Sequence, residues 1–195
     1  MTKHILAIHG AFSTPVIWNY FNRELTEYTW HFVDYSTKTQ DINQVIAQIR
    51  SDYYGSTLAF DVIGHSMGGL IALSLEGESW VNSITTIATP LGGIDMNLLQ
   101  VYFSRSGFLG EISNYSKFIS LLHKTKYTKP IQHIITTSGF NPWMFEDNDG
   151  VVTLKSQRYW NIGKSIDIHA NHSEVMMHNQ TVSVLRNFLQ NLNNA

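Results

Sequence analysis

The sequence predicts an α/β fold with about six mostly parallel strands flanked by helices. Three observations lead there. Short β-rich apolar runs alternate with stretches of helical periodicity, the pattern of strands joined by crossover helices. One of those runs, Asp61-Val62-Ile63-Gly64, passes directly into a serine flanked by glycines, and a helical pattern follows. The chain of 195 residues is long enough to bury one core and short for two, so residues 1–195 read as a single domain.

Taken in order, Ile5–His9 is the first predicted strand, and Trp18–Tyr28 is a helix after a loop containing Pro15. Trp30–Tyr35 is the second strand. Asp41–Tyr53 places Ile42, Val45, Ile46 and Ile49 at helical spacing, with Gly55 as its stop. Leu58–Gly64 is a buried strand and Gly68–Leu75 a helix with small residues on one side. Ser83–Ala88, Ile131–Thr137 and Ser165–His169 complete the strands, the first of them stopped by Pro90. Val175–Leu192 closes the chain as a helix with Val182, Leu185 and Leu189 on one face. Residues 96–129 break this rhythm. They are rich in aromatics and leucines, among them Leu98, Leu99, Tyr102, Phe103, Phe108, Phe118, Leu121 and Leu122, and read as a short helical cap or lid.

Composition narrows the function classes. Apolar residues make up 43% of the chain, which marks a globular protein. Net charge is −2 and the basic residues are scattered, so no nucleic acid is expected as partner. Cysteine is absent, which excludes disulfides, thiolate nucleophiles and iron–sulfur clusters. The apolar run after Met1-Thr2-Lys3-His4 is too short for a signal segment, and no transmembrane segment is found. A cytoplasmic location is expected; a secreted mature form is also compatible. The sequence leaves the oligomeric state open.

The informative segment is Gly64-His65-Ser66-Met67-Gly68-Gly69 at the end of a predicted strand. A G-x-S-x-G sequence between strand and helix is the context of a nucleophile elbow, a tight strained turn that lifts a serine hydroxyl above the sheet's carboxyl edge. Side chains at positions 64 and 68 would collide with each other and with the strand, and glycine removes them. The turn aims the Met67 N–H at the reacting oxygen. His9-Gly10-Ala11-Phe12 follows the first strand, so Ala11 N–H is the expected second donor of an oxyanion hole. His9 is read as a brace for that loop rather than as a base.

With these segments placed, the chain resembles the α/β-hydrolase superfamily in a minimal form, and within it small bacterial lipases and esterases. Thr89-Pro90-Leu91-Gly92-Gly93, Asn148-Asp149-Gly150-Val151-Val152 and Asn171-His172-Ser173-Glu174 are similar to segments those enzymes carry in the same order. The resemblance implies a Ser66, Asp149, His172 triad, with His172 the base and Asp149 the acid. His169 and His178 compete for the first role, Asp147 and Asp95 for the second. Some related lipases hold a structural calcium near the histidine loop, where Glu174 would fill one position. No second carboxylate before Pro130 answers it, so no metal and no cofactor is expected.

The cap segment, with Phe12, Trp143, Met144 and Phe145, is expected to line an acyl groove. The implied activity is hydrolysis of hydrophobic carboxylic esters through an acyl-enzyme. A thioesterase, amidase or acyltransferase would use the same triad. A ligand-binding protein with an inactive site is the alternative from another class.

Overall fold

The computed structural model describes residues 3–94, 111–113 and 116–192. Six strands form one sheet: β1 (Lys3–Ile8), β2 (Tyr28–Val33), β3 (Phe60–His65), β4 (Val81–Ile87), β5 (Ile131–Thr136) and β6 (Lys164–Ile168). Their order is β2-β1-β3-β4-β5-β6, and every neighbouring pair is parallel. The helices are α1 (Asn19–Glu24), α2 (Ile42–Asp52), α3 (Met67–Ser74), α4 (Lys117–Lys124), α5 (Leu154–Gln157) and α6 (Asn179–Leu192), with 3-10 turns at Pro15–Trp18 and Glu174–Met177.

Strand alternation sends residues to two cores, one on each face of the sheet. From β1, Leu6 and Ile8 join Ile42, Val45 and Ile49 of α2 and Leu70 and Leu73 of α3. Ile5 and Ala7 join Trp18, Phe21 and, from α6, Val182, Leu185 and Leu189 in the other core. Helix α3 is buried at every residue from Met67 to Leu73, which is why its sequence is apolar all round rather than striped. Helix α2 begins with a reciprocal cap: the Asp41 carboxylate accepts the Gln44 N–H at 2.8 Å, and the Gln44 side chain accepts the Asp41 N–H at 2.9 Å.

All six expected strands are present with ends displaced by up to two residues, and the helix ends shift further. The helix expected over 18–28 is shorter, because Tyr28 already pairs with Lys3 in the sheet. Tyr35, expected at the end of the second strand, lies beyond it and donates its hydroxyl to the His9 carbonyl at 2.5 Å. The closing helix is split, with a 3-10 turn before α6. Of the cap segment, α4 packs Ile119 and Leu122 into the core beside α2 and α3, while Leu121 is exposed. Leu98, Leu99, Tyr102, Phe103 and Phe108 lie outside the described residues.

The chain leaves β1 for β2 on one side and then returns to β3 on the other, so the loops after β1 and β3 diverge. Open parallel sheets bind ligands in the crevice this creates at the strands' carboxyl ends.

Leu185 is fully buried against the sheet, so Leu185→Ala should cost about 2–5 kcal/mol. Urea unfolding followed by circular dichroism should show a lower midpoint with an unchanged slope.

Candidate active site

Ser66 stands at the head of α3 with φ 54 and ψ −124, in the left-handed half of the map where a side chain is strained. The strain is held by the frame around it. Ser66 N–H donates to Ile87 O of β4 at 2.8 Å, and Gly69 N–H donates to Ser66 O at 3.0 Å. A Cβ on Gly64 would sit 2.2 Å from Gly68 O, and one on Gly68 would sit 2.2 Å from Ile8 O of β1. A Cβ on Gly69 would lie 2.0 Å from the Thr89 hydroxyl oxygen, so the Thr89-Pro90 segment packs directly on the elbow helix.

The loop after β1 also passes close to Ser66. A Cβ on Gly10 would be 3.0 Å from Ser66 Cβ. Phe12 also adopts positive φ, 56, and its N–H donates to the Thr37 hydroxyl at 3.1 Å. His9 braces the loop from behind. Its Nδ1–H donates to Gly10 O at 2.8 Å, and its ring stacks on Tyr35 at 4.1 Å. Burial depresses the His9 pKa, which keeps the ring neutral in this role. Ala11 from this loop and Met67 from the first turn of α3 line one cavity with Ser66 and His172.

Asp149 and His172 meet. His172 Nδ1 lies 2.8 Å from Asp149 Oδ2, and both side chains are buried. Of the histidines weighed for this position, His169 is exposed just beyond β6 and His178 precedes α6, while His172 is the one bonded to Asp149. Asp147 is exposed, and Asp95 lies outside the described residues. Asp149 Oδ1 accepts the N–H groups of Val151 at 2.9 Å and Val152 at 2.7 Å. Oδ2 also accepts from the Thr136 hydroxyl at 2.5 Å and from Gln157 Nε2 at 3.1 Å. Burial alone would raise this carboxyl's pKa. The bond and charge of His172, with the Thr136 and Val152 donors, outweigh it and hold the group below the usual carboxylate range.

Thr136, Gln157 and His65 belong to this constellation and escaped the sequence reading. Thr136 ends a strand whose position was predicted, so its placement beside Asp149 was within reach. Gln157 gives no such signal, because a glutamine on a short helix is ordinarily solvated. His65 is buried. Desolvation, with the neighbouring His172 adding to it, pushes its pKa down to about 3.

The cavity is about 450 Å³. Phe12 and Met144 line it, as expected. Trp143 does not; it is 58% exposed and lies outside the lining. Phe118, Leu121 and Leu122 do not either, since α4 faces α2 and α3 instead. The apolar walls are Ile17, Ile94, Ile112 and Val151. Glu174 accepts the Asn171 N–H at 3.3 Å, which caps the histidine loop. Among the described residues no three metal-binding side chains converge, and no helix is long and apolar enough to cross a membrane.

Comparison with known proteins bears on the fold. The family model described as PGAP1-like alpha/beta domain matches residues 18–191. The mature form of the Bacillus licheniformis lipase BlEst2 superposes with a TM-score of 0.77 at 17% identity, over 96% of this chain and 92% of that one. A bacterial membrane phospholipase A gives 0.64 at 16% identity, over 100% and 80%. A lipase-esterase related protein from Clostridium acetobutylicum gives 0.63 at 14% identity, over 95% and 94%. These likenesses show the α/β-hydrolase fold. No curated protein matches the chain by sequence.

The buried histidines set a pH dependence of stability. Burial pushes His65 down to about 3 and His133 down to about 4, whereas an unfolded histidine titrates near 6.5. As pH falls below that value the unfolded chain binds protons that the folded chain refuses, so stability drops. Asp149 adds its loss only at lower pH, below the unfolded carboxylate range, because its folded pKa is depressed. Between about pH 6 and pH 4.5, each such histidine should contribute a slope approaching 1.4 kcal/mol per unit. His133→Gln should remove one proton of that slope, read from urea unfolding at stepped pH. An unchanged slope would show that His133 is protonated in the native state.

Proposed function

The chain belongs to the PGAP1-like alpha/beta domain family, and from that premise and the geometry of its cavity we propose that it is a serine hydrolase cleaving carboxylic esters with hydrophobic acyl groups. The observation that carries the reading is that Ser66, on a strained turn, opens onto the same cavity as a histidine bonded to a buried, anionic aspartate.

In this reading Ser66 Oγ attacks the ester carbonyl while His172 Nε2 takes its proton. The carbonyl oxygen becomes an oxyanion facing the N–H groups of Ala11 and Met67, in a site where each donor contributes about 3–4 kcal/mol. The C–O bond to the alcohol then breaks, and His172 returns the proton to the departing alkoxide. Water repeats the sequence on the acyl-enzyme and frees the acid. Asp149 holds the imidazole with Nδ1–H towards itself and offsets the charge of the imidazolium. Its depressed pKa supports that role, since the group stays ionised at neutral pH. The apolar walls from Ile17, Ile94, Ile112 and Val151 favour an acyl chain over a polar acid, and the named lipases among the structural neighbours accord with this.

The test is a panel of p-nitrophenyl esters of increasing chain length, with matched thioester and amide substrates. Ser66→Ala and His172→Ala should each lower kcat by on the order of 10⁴-fold or more, and Asp149→Asn by about 10⁴-fold. Near-full activity of Asp149→Asn would reassign the acid. A flat chain-length profile would remove the acyl cavity from the reading. A wild-type chain that takes no label from a fluorophosphonate at Ser66 would point to a binding protein instead.

A further inference from the structure

The peptide groups on both sides of His172 are held by the other members of the site. Its N–H donates to the Asp149 carbonyl at 3.0 Å. Its own carbonyl accepts from His65 Nε2–H at 2.9 Å. His65 is the last residue of β3 and immediately precedes Ser66. One bond therefore runs directly from the nucleophile's strand to the histidine's backbone.

That connection answers a geometric problem. His172 follows β6 at the sheet's edge, and β4 and β5 lie between β6 and β3. Three strand spacings of about 4.8 Å put the two elements roughly 14 Å apart. Without a direct link, the position of His172 relative to Ser66 would depend on accumulated register and twist through two intervening strands and a loop. The imidazole of His65 reaches across instead, and its ring lies 4.9 Å from that of His172.

The chemistry of the ring argues against simple filling. Because its partner is a carbonyl, Nε2 must carry the hydrogen, and Nδ1 is left as a bare acceptor. Nδ1 is buried with no partner among the described residues. A buried unpaired acceptor costs stability, so packing alone would favour an apolar side chain at this position. The half-satisfied ring stands where its other nitrogen bonds the base's backbone.

We propose that His65 is a positioning residue, whose Nε2–H fixes the backbone of His172 relative to Ser66. The proposal rests on reading those two residues as base and nucleophile. His65 touches no reacting atom and exchanges no proton with substrate; it acts through His172.

The experiment compares wild type, His65→Leu, His65→Gln, Ser66→Ala and His172→Ala on one p-nitrophenyl ester. His65→Leu removes the donor and should lower kcat by about a hundredfold, the scale of a misplacement near 1 Å, with KM almost unchanged. His65→Gln keeps an N–H donor at similar reach and should recover most of the loss. Equal activity of Leu and Gln variants, at matched thermal stability, would overturn the proposal. Activity surviving in Ser66→Ala or His172→Ala would instead overturn the catalytic reading beneath it. Should His65→Leu fail to fold, nitrogen-15 correlation spectra of the wild-type imidazoles decide the matter. They should show His65 neutral with its hydrogen on Nε2 from pH 7 down to pH 5, and an Nδ1–H tautomer would refute the bond.

Discussion

The rest of the site depends on one very close backbone approach. The first turn of α3 presses against the end of β1 so tightly that a Cβ on Gly68 would stand 2.2 Å from the Ile8 carbonyl. Gly64 is pinned against Gly68 in the same way, and Gly69 against Thr89. Each contact exists only because a side chain is missing. Their joint effect is to bring three separate stretches of chain, the ends of β1, β3 and β4, within contact distance of one serine. Strained backbone at Ser66 and Phe12 costs on the order of 1–3 kcal/mol each. It persists because the elbow helix is buried from Met67 to Leu73 and cannot relax without opening the core it packs into.

A second constraint is electrostatic. Asp149 is buried, and an unpaired carboxylate there would take up a proton. Two backbone N–H groups, a hydroxyl, an amide and an imidazole converge on it instead. The loop that carries Asp149 is itself held at close range, since a Cβ on Gly139 would fall 2.2 Å from the Asp149 carbonyl carbon. Position and charge are thus fixed by the same set of donors. The contrast with His65 is instructive, because burial there acts on a base and favours the uncharged ring. One neutral imidazole and one ionised carboxylate, both buried, bracket His172 from opposite sides.

Much of this was legible in the sequence for a physical reason. The strands are short, apolar and spaced by helical stretches, and the elbow requires glycine at fixed offsets from the serine, so both leave local patterns. Asp149 and His172 were legible through resemblance to known segments, since nothing local distinguishes them from Asp147 or His169. Gln157 was not legible, because its bond to Thr136 is a contact made across the sheet's edge by residues 21 positions apart. Trp143 illustrates the opposite failure. Aromatic character suggested a pocket wall, but the turn around Asn141 and Pro142 leaves the indole in solvent and places its neighbour Met144 in the cavity. The end of β2 lies two residues earlier than expected, and Tyr35 beyond it bonds the His9 carbonyl.

The division between legible and illegible residues follows the division between scaffold and cavity wall. Ser66 sits where the main chain must turn, so its neighbours are constrained by backbone sterics and the sequence shows it. The walls, in contrast, come from Ile17 after β1, Ile94 after β4, Ile112 in the cap segment and Val151 beside Asp149. Each of these satisfies only the weak demand of being apolar and facing inward, which most core positions also satisfy. A mutation at the elbow therefore has almost no neutral alternatives, whereas the walls can change one residue at a time and keep the fold. On the proposed reading, substrate preference would rest on the part of the chain with the fewest steric constraints, whereas the elbow and its flanking glycines are held by close backbone contact.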